Sequence, residues 1–284
     1  MVRTIVHPGE ASEPRVLALP CTVRSVRVTF QPGMPVLDAV TQAFAPHGIE
    51  SAVVTISGGA FDPLIYVMPA PASDGIHAAW YSETHSPEGR GAIETLTFTY
   101  GRRDGAPFLH CHGIWHHADG SRHAGHLMPH DAHFAEVVDA EVLAISGAVL
   151  DQLDDDETKF KLFTPVPLEG TAAEGGKRGV LCRVKPNAEI NAAVEQTAKA
   201  AGFERATLHG IGSLVGCDFV DGQHMESFAS ELFIRNGMVE TVNGKMQSSI
   251  DIGIVDVDGA IFEGEIVHGR NPVCVTFELL IIEN

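Results

Sequence analysis

Two stretches of this chain occur twice, and in neither does aligning the copies require a gap. His110-Cys111-His112, Ala118-Asp119-Gly120 and Ala124-Gly125-His126-Leu127 lie over Ser249-Ile250-Asp251, Val257-Asp258-Gly259 and Glu263-Gly264-Glu265-Ile266. Pro32 to Gly58 lies over Pro186 to Gly212, with Ala39/Ala193, Val40/Val194, Gln42/Gln196, Gly48/Gly202, Glu50/Glu204 and Ala52/Ala206 matched. A period above 100 residues marks a repeated domain rather than a solenoid repeat. At 284 residues the chain is long enough for two domains with cores of their own.

The order of elements agrees between copies. Val23 to Phe30 is rich in β-branched residues and reads as a strand. Pro32-Gly33 turns the chain, Val36, Leu37, Val40 and Phe44 recur at helical spacing, Gly48 stops the helix, and Val53 to Ile56 is a strand. The second copy has a strand at Val180 to Val184, a helix striped by Ile190, Val194 and Ala198 with Asn187 as its N-cap, and a stop at Gly202. Strands then follow at Leu96–Tyr100, Phe108–Trp115 and Phe134–Ile145, and at Glu231–Ile234, Ser249–Val255 and Val273–Ile282. Each unit is one principal helix with a mainly antiparallel sheet, so the expected class is α+β. The expected division is a first domain at 1–165, a linker at 166–178 and a second domain at 179–284, with residues 1–15 a loose polar arm.

The net charge of −18 argues against nucleic acid, whose backbone is bound by neutralising phosphates, and against anionic membrane surfaces. Five scattered cysteines, with no C-x-x-C, point to a reducing compartment. No run is long and apolar enough for a signal core or a membrane span, so the expected location is the cytoplasm.

Eight histidines fall between His110 and His133. On a strand His110 and His112 project from one face and Cys111 from the other. A three-residue Ala118-Asp119-Gly120 loop, with Gly120 in the left-handed conformation, pairs His117 with Ser121 and sets His112 opposite His126. The same loop in the second copy pairs Asp251 with Glu265. Three imidazoles on one face with an open fourth position form a reactive site for a divalent transition metal, with zinc the first expectation. In the second copy Ser249, Asp251 and Glu265 replace the three histidines, so that half is read as degenerate; with His268 they form a polar cluster or a site for a hard cation.

The His-x-His strand, the Asp119-Gly120 turn, Gly125-His126-Leu127 and the later Glu141-Val142-Leu143 resemble the plants-and-prokaryotes conserved (PPC) domain. The upstream Pro-Gly, helix and Ser-Gly-Gly elements fit too, and the resemblance extends over most of both halves. It implies an α+β fold with a central antiparallel sheet, trimeric self-assembly, and a metal held by His110, His112 and His126. Plant relatives bind DNA through AT-hooks built on Arg-Gly-Arg, a sequence absent from this chain.

Other candidates are weaker signals. His116 and His123 are candidate acids or bases, and Glu141, set among apolar residues, is a candidate partner for a ligand histidine. Tyr81, Arg90, Arg102 and Arg103 are candidate contacts for a carboxylated substrate. Gly58-Gly59 and Gly210-Ile211-Gly212 are not followed by helical sequence, so packing or turns explain them better than a phosphate cradle. No nucleophile motif is present. The leading expectation is a metal-dependent hydrolase or lyase acting on a small carboxylated metabolite. The alternatives are a DNA-associated regulator by analogy with the family, and a non-catalytic metal or ligand sensor.

Overall fold

In a computed structural model the described residues are 3–169 and 175–284. The first half contains β1 (Val16–Phe30), α1 (Val36–Phe44), β2 (Ala52–Ile56), β3 (Gly91–Arg103), β4 (Ala106–His116), β5 (Arg122–Leu127) and β6 (Val138–Ser146). A hairpin of β7 (Ala148–Asp154) and β8 (Lys161–Pro167) follows. The second half contains β9 (Lys177–Val184), α2 (Ile190–Ala200), β10 (Arg205–Leu214), β11 (Glu231–Val242), β12 (Lys245–Val255), β13 (Ile261–Glu265) and β14 (Val273–Glu283). The expected α+β class is what the fold shows, with one principal helix in each half and mainly antiparallel pairing.

Strand order carries the duplication further than sequence does. The first half reads β5-β4-β3-β2-β6-β1 and the second β13-β12-β11-β10-β14-β9, with β9 paired antiparallel to β1 so that one sheet runs through both halves. The residue alignment holds through these strands. Extending the match of Pro32 with Pro186 back along the strand equates Arg27 with Leu181. Extending His110/Ser249 forward equates Glu141 with Leu280. The structure pairs Arg27 with Glu141 across β1 and β6, and Leu181 with Leu280 across β9 and β14.

This one rung of the sheet explains how the halves pack. Leu181 and Leu280 are fully buried, in a cluster with Val53, Ile145, Leu150 and Phe163 of the first half. Arg27 and Glu141, at the same positions in the other copy, are exposed. At this rung the sheet face is buried in the second half and left in water in the first, while the first half contributes Val23, Val53 and Ile145 from further along that face; the two copies use non-equivalent positions, so the contact between the halves is head-to-tail. Burying each of those leucines stabilises the contact by roughly 1.5–3 kcal/mol. A second apolar seam joins Ile114 and Ala124 to Ile211, Phe233 and Val255. Each half also has its own core, around Phe30, Phe44 and Phe98 in the first and Val194, Leu208 and Phe277 in the second.

Two sequence expectations need revision. The N-terminal arm is tied down: Ile5 exchanges hydrogen bonds with the Asn187 side chain, His7 bonds the carbonyl of Cys274 at 2.8 Å, and Arg15 pairs with Glu157 at 2.7 Å. Asn187 is therefore not the helix cap; it has a φ of 62°, and Glu189 caps α2 by accepting from the amide of Ala192. The acidic stretch after Asp151 folds as the β7–β8 hairpin, because Leu150 and Phe163 on one face and Val149 and Leu162 on the other give it apolar side chains to bury. Of the expected linker, residues 170–174 lie outside the described residues. Gly210 sits within β10, where a Cβ would lie 2.1 Å from the carbonyl oxygen of Glu278, so close packing accounts for it.

Candidate metal centre

The β4–β5 hairpin has the three-residue register. Gly120 has a φ of 83°, and the amide of His117 donates to the carbonyl of Ser121 at 2.9 Å. Counting back from the turn, His112 faces His126 directly, as Asp251 faces Glu265 in the second copy. His110, two residues from His112, shares its side of the strand. The three rings converge, with centroids 4.5 Å apart for His110 and His112, 4.9 Å for His110 and His126, and 5.4 Å for His112 and His126.

The second half completes this cluster. β11 begins at Glu231, whose carboxylate meets Nε2 of His112. One potential ligand atom from each of His110, His112, His126 and Glu231 lies within 4.8 Å of the others. The next residue, Leu232, accepts a hydrogen bond from Nδ1 of His112 at 2.8 Å. Glu278, on β14, accepts from Nδ1 of His110 at 2.6 Å and from the hydroxyl of Thr99. Both histidines thus spend Nδ1 on a hydrogen-bond partner and turn Nε2 inward. The two Nε2 atoms lie 3.0 Å apart. At that distance the two nitrogens share a positive charge between them, either a proton held with the help of Glu231 or a metal ion. Nδ1 of His126 is buried and lacks a hydrogen-bond partner. A buried nitrogen-rich pocket with one adjoining carboxylate fits a divalent transition cation.

Electrostatics sort the cluster. Burial, helped by repulsion from His112, pulls His110 down to about 3, so its ring is neutral at physiological pH. Burial also holds His126 well below the ordinary histidine value. For His112 burial acts in the same sense, but the Glu231 carboxylate outweighs it and raises the ring. Glu231 is itself opposed by burial and held down by His112. Burial pushes Glu278 up to about 8, against the Thr99 hydrogen bond.

The cluster opens into a cleft of about 570 Å³. His110, His126 and Glu278 line its inner wall, and Trp80, Phe108 and Phe160 line its sides. A smaller cavity of about 60 Å³ adjoins His112 and Glu231.

The structure places the other predicted residues as follows. Tyr81 packs edge-on against His126 at 5.1 Å between centroids, and Arg103 lines the cleft with its guanidinium over Phe108. Arg102 is bound to Asp151 at 2.8 Å, and Arg90 lies at the surface against Glu136. His116 pairs with Glu94 at 2.9 Å, four residues along the strand from His112, roughly 13 Å away. His123 projects from the other face of its strand and stacks on His117 at 3.7 Å. Glu141 is exposed and bonded to Ser25, so the partner it was expected to be is Glu278. In the second copy Asp251 meets Arg235 at 3.5 Å and His268 meets Glu195 at 3.0 Å; among the described residues only the histidine cluster groups potential metal ligands closely.

Sequence reasoning missed Glu231 and Glu278. Each is an acid inside an apolar strand, Glu231-Leu232-Phe233-Ile234 and Phe277-Glu278-Leu279-Leu280, which is the same signal that singled out Glu141.

Residues 21–150 match the Plants and Prokaryotes Conserved (PCC) domain family. This match covers a little under half of the chain. The structural likenesses cover about half of it. A metal-containing protein from Archaeoglobus fulgidus is 19% identical, with 52% of this chain and 95% of that one covered and a TM-score of 0.41. A plant- and prokaryote-conserved protein from Pyrococcus horikoshii is 17% identical, with 52% and 96% covered and a TM-score of 0.42. A candidate DNA-binding protein from Bacteroides thetaiotaomicron is 13% identical, with 51% and 97% covered and a TM-score of 0.37. No curated protein matches the chain significantly. No helix among the described residues is long and apolar enough to cross a membrane.

Proposed function

We propose that this PCC-domain protein is a metal-dependent enzyme, a hydrolase or lyase acting on a small carboxylated metabolite. Zinc would be held by His110, His112 and His126, with the fourth position left to water or substrate beside the Glu231 carboxylate. The observation behind this reading is the pair of inward-facing Nε2 atoms 3.0 Å apart beside a carboxylate. A divalent cation in this position supplies Lewis acidity and lowers the pKa of water. The chain's own groups position and balance it: Glu278 and the Leu232 carbonyl fix the two tautomers, and Glu231 supplies negative charge and a proton acceptor. Five free cysteines suit a reducing cytoplasm. The test is a screen of carboxylated esters, amides and hydroxy acids against protein purified without chelator. The expected result is turnover that disappears on stripping the metal and returns with zinc. Bound metal with no turnover on any of them would favour a non-catalytic sensor.

A regulatory, DNA-associated role is the second reading, carried by the family alone. The charge of −18 opposes it. In an electrophoretic shift assay near physiological salt, no retardation of a generic duplex is expected; submicromolar, salt-sensitive binding would promote that role.

Trimeric assembly is also part of the proposal. The head-to-tail contact inside one chain leaves the Arg27, Thr29, Asp139 and Glu141 face uncovered, and this polar face would meet another chain. Such an interface would weaken with salt. Light scattering at low and high salt checks this, and a mass of 30.3 kDa under both conditions would remove the trimer.

A further inference from the structure

The cleft beside the histidines has more chemistry than a metal site needs. Its mouth carries three cations, Arg103, Lys159 and Lys161, in a chain whose net charge is −18. Their own partners are weak. Arg103 and Lys161 both lean on Asp104, at 3.8 and 3.3 Å, and Asp104 is 71% exposed. Lys159 reaches the fully exposed Asp156 at 3.4 Å. Exposed pairs of this kind contribute little, so a ligand anion can displace them. Between this mouth and the histidines the walls are aromatic. Trp80 stacks on Phe160 with centroids 5.1 Å apart and planes 23° apart, and Phe108 stands edge-on to Phe163 at 5.9 Å. Trp80 remains 41% exposed, a large apolar surface left to water at the cleft. At about 570 Å³ the space suits a ligand of one or two fused rings.

We infer that the cleft binds a planar aromatic acid, its ring between the Trp80–Phe160 and Phe108 walls and its anionic group at Arg103, Lys159 and Lys161. The other end of the ligand then faces His110 and His126. The inference rests on the proposed function in taking this cleft as the substrate site, but it can fail separately. The cations choose charge, by pairing with a carboxylate. The walls choose shape, because flat rings lose little entropy on stacking and gain aromatic contact.

The probe is 2-naphthoate, compared with the neutral 2-naphthamide and with octanoate, which has the charge without the ring. Binding is read by calorimetry on the full chain, and by Trp80 fluorescence in a Trp115→Phe variant, which has no other tryptophan. Naphthoate should bind at least tenfold more tightly than either comparator. The double variant Arg103→Met, Lys161→Met should lose about tenfold in naphthoate affinity, hold its metal content and bind naphthamide as before. Phe160→Ala should weaken naphthoate and leave octanoate unchanged. Equal affinity for naphthoate and naphthamide would overturn the anionic anchor. Equal affinity for naphthoate and octanoate would overturn the aromatic walls. If the charge and ring preferences appear in protein that binds no zinc, the inference stands and the metal reading falls. If zinc is bound and neither preference appears, the reverse holds.

Discussion

His112→Ala leaves the purified protein with metal at background level, against about one zinc per chain in the parent. His112 is 2% exposed, its Nδ1 is spent on the Leu232 carbonyl, and its Nε2 lies beside both Nε2 of His110 and the Glu231 carboxylate. Removing it takes away the central donor and leaves Glu231 facing a void. Among the described residues no other close group of potential ligands exists to compensate. Glu231→Gln tests whether the second half participates. The amide oxygen keeps its place but loses its charge, so affinity should fall by about 10–100-fold, as it does when supporting groups of metal sites are altered. Asp251→Ala and Glu265→Ala, in the degenerate copy, should change nothing. Elemental analysis followed by competition with a chelator reads all four variants. Metal content unaffected by His112→Ala would sink the site. Unchanged affinity in Glu231→Gln would return the second half to a purely structural part.

That second outcome matters because it marks where the sequence ran out. The hairpin register was legible from one loop, since Ala118-Asp119-Gly120 has few ways to turn a chain and each way fixes which histidines face each other. The strand and helix order was legible because the copies restate it. Glu231 and Glu278 were not assignable to the site, although the acid-in-an-apolar-strand signal is present at both. At Glu141 that signal marks an exposed residue, and at Glu278 it marks the partner of His110. The difference is not local. It comes from which copy buries that stretch of the sheet face, and the head-to-tail contact decides this over more than 160 residues of chain. The same contact turns an apparently idle second copy into half of the candidate centre. The β7–β8 hairpin went unassigned for another reason: its acids sit at the exposed end of the strand and mask the apolar residues beside them.

That hairpin leads to the second large expected effect. Asp155 follows β7, and its carboxylate accepts from the Arg183 guanidinium at 2.7 Å and from the amide and hydroxyl of Thr158, each at 2.8 Å. Arg183 lies on β9, so the ion pair ties the hairpin to the second half, and its two side chains are 9% and 3% exposed. Burial alone would raise the Asp155 carboxyl, but Arg183 and the Thr158 hydrogen bonds outweigh it and hold it below the ordinary aspartate value. Asp155→Ala strands a buried guanidinium, whose Nε already lacks a partner, and should cost about 3 kcal/mol or more. The thermal midpoint should fall by roughly 6–12 °C. The dependence on pH has a definite sign. A carboxyl whose folded pKa lies below its unfolded value of about 3.9 contributes its stability above that value and loses it as pH falls through the folded pKa. The gap between parent and variant should therefore be full at pH 7 and narrow below about pH 4, as the parent also loses its charge. Melting curves at pH 7, 5 and 3 would show this. A variant that melts with the parent at pH 7, or a gap that widens toward pH 3, would mean the pair does not hold the halves together.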